Sequence, residues 1–143
     1  MKKILLIAVF VLATAVAPVQ AKAPKAPTAP KGNHCLPHAV SYRVSGTLDS
    51  GALTANSDGT YTGSLTVFVT KANNHAKADK GTHKLYTLTS AKAKLHGENP
   101  AALTLNSRVN LKGTITTLAK KCDQSTFTAV TTIKKADIKP PKH

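Results

Sequence analysis

The side chains able to make or break bonds, or to hold a metal, are few in this 143-residue chain: two cysteines, six histidines and six acids. The acids are Asp49, Asp58, Asp79, Glu98, Asp123 and Asp137, and most stand in turn-like contexts. There a short carboxylate serves nearby backbone N–H groups. No two are placed as a general acid and base. No Gly-x-Ser-x-Gly elbow, phosphate loop or His-Glu-x-x-His helix occurs. The expectation is a protein without catalysis and without a cofactor.

Two sets of residues have the types for metal. His75, Asp79 and His83 recur at four-residue steps and would share one face of a helix. Asn73, Asn74 and Gly81 argue against such a helix, so exposed loop histidines are the plainer expectation. His34, Cys35, His38 and Cys122 have the donor types of a zinc site. In an exported protein Cys35 and Cys122 pair instead as a disulfide. Closing so long a loop stabilises a fold by roughly 4 kcal/mol in the chain-entropy model.

Export is what the first residues suggest. Lys2 and Lys3 precede an apolar run from Ile4 to Val16, and Val19-Gln20-Ala21 offers small residues at −3 and −1. This reads as a bacterial-type signal peptide over residues 1–21, cleaved after Ala21. Loss of Lys2 and Lys3 lowers the formal charge from +14 to about +12. No second apolar segment follows. The mature protein is expected to be secreted, or held in the periplasm or cell envelope, with no membrane span.

The remaining charge is mostly lysine, Arg43 and Arg108 being the two arginines. Lysine is a hydrated point charge rather than a planar fork, so the composition implies attraction to polyanions more than readout of one of them. Lys84, Lys92, Lys94 and Lys112 fall in strand-like sequence. They form a basic stripe if their strands are neighbours, with Phe68 as the outward aromatic and Tyr86 as a second candidate. Partners would be acidic polymers: extracellular DNA, cell-wall polymer or polysaccharide. The bland alternative is a solvated lysine surface that keeps the protein soluble.

Stripes need strands to carry them. Arg108 to Ala119 alternates with period two: Val109, Leu111, Gly113, Ile115 and Thr117 on one side, Asn110, Lys112, Thr114 and Thr116 on the other. Gly113 marks a bulge, bend or close backbone approach. Val40 to Leu48 alternates likewise. Asp49-Ser50-Gly51 reads as a tight turn before a short strand, Ala52 to Ala55. Asn56-Ser57-Asp58-Gly59 reads as a hairpin turn. Thr60 to Thr70 is a long strand whose Phe68 lies on its threonine face. Lys71 to Thr82 is a polar loop with room for one helical turn. His83 to Leu95 is again strand-like, and Ala101 to Leu105 is either a short strand or a loop. Thr126 to Ile133 is the last expected strand.

The organisation expected is a signal segment at 1–21, a Pro/Ala/Lys spacer at 22–34, an all-β domain at 35–134 and a basic tail at 135–143. The spacer has proline at every third position from Pro24 to Pro30, which favours extended polyproline geometry. Short strands without a convincing helix imply a small closed or partly open antiparallel barrel, or a β-sandwich.

Several segments carry a resemblance: Val44-Ser-Gly-Thr-Leu48, Gly51-Ala-Leu-Thr54, Leu65-Thr-Val-Phe-Val69, Val109-Asn-Leu-Lys-Gly-Thr114 and Phe127-Thr-Ala-Val-Thr-Thr-Ile133. Together they resemble small exported bacterial β-domains of the OB-fold-like kind. The resemblance spans most of Val40 to Ile133 and rests on generic strand motifs. It implies a barrel, and a binding or structural module rather than an enzyme.

Overall fold

The computed structural model describes residues 35–142. The expected signal segment and the whole of the spacer lie outside them. Five strands form the domain: β1 (His38–Ala55), β2 (Tyr61–Ala72), β3 (His83–Lys94), β4 (Arg108–Thr117) and β5 (Thr131–Lys139). A six-residue 3₁₀ turn, Asn74–Asp79, links β2 to β3. The hydrogen-bonded order β1-β2-β3-β5-β4 returns to β1, so one sheet closes on itself as a ring. Four of the five pairings are antiparallel, as expected of an antiparallel barrel; β3 and β5 pair in parallel.

Alternation fills the ring. Tyr42, Val44 and Leu48 of β1, Leu65, Val67 and Val69 of β2, Tyr86 and Leu88 of β3, Val109 and Leu111 of β4, and Ile133 and Ile138 of β5 are all buried. The inward set of β4 expected from its period of two is the observed one in its first half. The hairpin at Asp58-Gly59 also forms. Gly59 has φ of 77°, and the Asp58 carboxylate accepts from the Thr60 backbone N–H at 2.9 Å.

Two local expectations fail for one physical reason, the bulge. Asp49-Ser50-Gly51 is no turn. β1 runs through it with a register shift between Leu48 and Ser50. The inward parity moves from Leu48 to Leu53, and one long strand bends around the core. A second shift lies opposite the Lys112/Gly113 step, where Lys112 pairs with Lys135 and Gly113 with Ile133. Lys134 is the extra residue. Ile133 and Ala136 therefore both point inward, while Lys134 and Lys135 are both exposed. The last strand thus continues through residues 135–139, which belong to it rather than to a tail; it begins at Thr131 rather than Thr126.

Gly113 marks a close approach of β4 to β5. A Cβ there would lie 1.9 Å from the Thr132 carbonyl oxygen. Ala101 to Leu105 is loop, anchored through Glu98, whose carboxylate accepts from Thr104 N at 3.0 Å and from the buried Ser107 hydroxyl at 2.8 Å. The Thr104 hydroxyl, which donates to the same carboxylate at 2.7 Å, does most to hold the Glu98 carboxyl below the usual range, and the other two bonds add to it. Cys35 and Cys122 form the expected disulfide across 87 positions. Such a bond is compatible with an extracellular or periplasmic location. No helix among the described residues is long and apolar enough to cross a membrane.

Candidate functional site

The register places cations side by side. Arg43 of β1 stands opposite Lys112 of β4. Lys112 stands opposite Lys135 of β5, and Lys135 opposite Lys92 of β3. Four consecutive strands each contribute one exposed basic side chain to a row across the sheet. Neighbouring strands are about 4.8 Å apart, so the row extends roughly 14 Å. Like charges directly opposite one another destabilise a sheet. Among the described residues none of these four side chains has an acidic partner within salt-bridge distance.

A second row lies one pleat further along. Lys94 is opposite Asp137, Asp137 opposite Asn110, and Asn110 opposite Ser45. The Ser45 hydroxyl donates to Asn110 Oδ1 at 2.6 Å. Asp137 Oδ1 is 2.7 Å from His96 Nε2, and its Oδ2 is 3.9 Å from Lys139 Nζ. The two rows border a groove of about 500 Å³, lined by Lys92, Lys94, Lys112 and Lys135 together with Asn110, Ala136 and Asp137. A shallower hollow of about 210 Å³ continues it past Lys112 and Lys135 to Arg43, Ser41 and Lys134.

Three of the four lysines expected in a stripe thus meet: Lys92, Lys94 and Lys112. They do so through an intermediary, since β5 lies between β3 and β4. Arg43, Asn110, Lys135 and Asp137 join them, four residues that the sequence pattern does not assign to the stripe. A weak signal existed for the last two: after Lys134-Lys135, the sequence Ala136-Asp137-Ile138 resumes alternation.

Lys84 and Phe68 lie elsewhere. Lys84 Nζ is 2.6 Å from Asp79 Oδ1 and 5.9 and 5.8 Å from the centres of the Tyr42 and Tyr86 rings. Its charge is neutralised at one end of the ring of strands, away from the groove. Phe68 stands opposite Thr47 and His83, and its ring is covered by the His83 imidazole, 4.8 Å between centroids. Among the described residues no aromatic side chain lines the groove.

The metal alternative also disperses. Asp79 spends both oxygens on its neighbours, accepting from the Tyr42 hydroxyl and from Lys84. His83 Nδ1 pairs with Asp49 Oδ2 at 2.6 Å, and His75 is exposed on the 3₁₀ turn. Among the described residues no three His, Cys, Asp or Glu side chains are grouped to hold an ion. Cys35 and Cys122 are taken by the disulfide, and His34 lies outside the described residues.

The Tyr42, Tyr86, Asp79 and Lys84 cluster reads as structure. The Tyr42 hydroxyl donates to Asp79, and its oxygen lies 2.9 Å from that of Tyr86. Burial, foremost, pushes both phenols above their ordinary range. Every buried polar side-chain atom among the described residues has a partner, so nothing in this cluster is left aimed at a ligand.

Comparison with protein-family models, with curated proteins and with solved structures returns no match.

Proposed function

We propose that this chain is an exported, non-enzymatic binding module that holds acidic polymers against its lysine-lined face. The observation that carries the reading is the row Arg43–Lys112–Lys135–Lys92. Four unpaired cations aligned across neighbouring strands cost stability through mutual repulsion. A polyanion lying over them would relieve that cost and release its own counterions. A lysine coat serving solubility alone has no need of alignment.

Export rests on the amino-terminal sequence up to Ala21, with the Cys35–Cys122 disulfide in support. The five-stranded closure β1-β2-β3-β5-β4 supports the OB-like reading, a fold type that often serves binding.

The test is retention of the mature protein on heparin and on duplex DNA across a salt gradient. Four contacts on DNA correspond to a log–log slope of roughly −3.6. Lys112→Ala/Lys135→Ala should flatten that slope. Lys77→Ala/Lys80→Ala removes the same charge from the exposed loop and should leave the slope nearly unchanged. Equal effects from both pairs, or elution of the unaltered protein at low salt, would reduce the face to general basicity and overturn the proposal.

A further inference from the structure

Asp137 is out of place in a face built only to attract negative charge. It stands in the second row, opposite Lys94 and Asn110, and lines the same groove as the lysines. A carboxylate there weakens the attraction of any simple polyanion. A ligand that brings hydrogen-bond donors as well as negative charge would use it.

Resting on the proposed polymer-binding reading, we infer that the groove is shaped for a hydroxyl-rich acidic polysaccharide, a chain of uronate or sulfated sugars, rather than for single-stranded nucleic acid. Lys92, Lys112 and Lys135 meet the acidic groups. Asp137 and Asn110 meet the hydroxyls.

The geometry suits this division. Ser45 donates to Asn110 Oδ1, which orients the amide and leaves Asn110 Nδ2 to donate outward. Asp137 receives His96 on one oxygen and has Lys139 at 3.9 Å from the other. A carboxylate has about four acceptor positions, so some remain for sugar hydroxyls. Acceptor and donor therefore alternate along the second row, beside a purely cationic first row. A sugar residue advances its chain by about one inter-strand step, so the spacing of acidic groups along such a chain is commensurate with the spacing of cations along the row. Single-stranded nucleic acid binding draws on aromatic platforms for its bases, and the groove lining has none.

The experiment compares two probes, polygalacturonate and inorganic polyphosphate, on the unaltered mature protein and on Asp137→Ala. Both probes are polyanions, and only the first carries hydroxyls. Asp137→Ala should tighten polyphosphate, because a repelling charge is gone. It should weaken polygalacturonate several-fold, because an acceptor is gone. His96→Ala keeps Asp137 and removes its link to the loop, and should change neither probe much. Asn110→Ala should weaken polygalacturonate alone.

Tightening of both probes by Asp137→Ala would overturn the polysaccharide inference while leaving polyanion binding intact. The same overturning follows if His96→Ala reproduces the Asp137→Ala pattern, since loop placement would then be the cause. Failure of the unaltered protein to hold either probe would sink the inference together with the reading beneath it.

Discussion

Lys112 of β4 and Lys135 of β5 face each other directly across a ladder that changes register at the next step. The bulge at Lys134 makes that opposition. Without the extra residue, the parity set by Ile133 would carry Lys135 inward and Ala136 outward. The backbone irregularity and the row of charge are one feature, and Gly113 is the residue that admits it.

The first prediction sets stability against binding. Lys135→Glu places an acid between Lys92 and Lys112 and replaces two repulsions by two attractions. Each exposed pair is worth about 0.5 kcal/mol. The melting temperature should rise by a few degrees. Retention on heparin should fall at the same time. A circular-dichroism melt and a salt-gradient elution on one preparation check both signs. A fall in both would mean that Lys135 supports the fold in some other way.

Alkaline stability should follow the tyrosine pair. Tyr42 is 0% exposed and Tyr86 3%, and burial raises both phenols. A raised folded-state value contributes stability that is whole below the unfolded value, about 10. It is lost as pH climbs, because the unfolded chain releases protons that the folded one retains. Denaturant midpoints should therefore hold steady through pH 9 and drop above pH 10, by up to about 1.4 kcal/mol per pH unit for each phenol. Tyr86→Phe should make the decline shallower, at a cost of about 1 kcal/mol at neutral pH for the lost hydrogen bond. An unchanged midpoint at pH 11 would contradict this account.

Gly113 has no room for a side chain. Its Cβ would meet backbone on β5, Thr132 O at 1.9 Å and Ile133 Cα at 2.9 Å. Gly113→Ala should destabilise the domain by about 2–3 kcal/mol, since β4 and β5 must part. In partially denaturing conditions, retention on heparin should fall in step with the folded fraction measured by circular dichroism.

Some of this was legible in the residues themselves. Alternation is a property of an extended chain, so Val109 and Leu111, or Leu65, Val67 and Val69, announce their inward face without reference to anything distant. The Asp58-Gly59 turn is equally local, since glycine takes the positive φ without strain. Gly113 announced a close approach by lacking a side chain in mid-strand. The presence of Lys112 on a wet face followed from the same period of two, whereas adjacent Leu85 and Tyr86 left the face of Lys92 and Lys94 open.

Pairing is where local reasoning ends. Nothing near Lys112 states that β5 rather than β3 lies beside it, or that β3 and β5 run parallel. Those relations are chosen by burial summed over the whole ring. The bulges at Asp49 and Lys134 cost one ladder position each and reverse parity. A strict alternation therefore reads the first as a turn and ends the last strand early. Lys84 looked like its neighbours on β3 until the 3₁₀ turn carried Asp79 to within 2.6 Å of it. The sequence by itself determined an all-β chain, its hairpin and the faces of its regularly alternating stretches, because those depend on bonds between neighbours. Only the tertiary structure decided which cations stand in one row, because that depends on register between strands far apart in the chain.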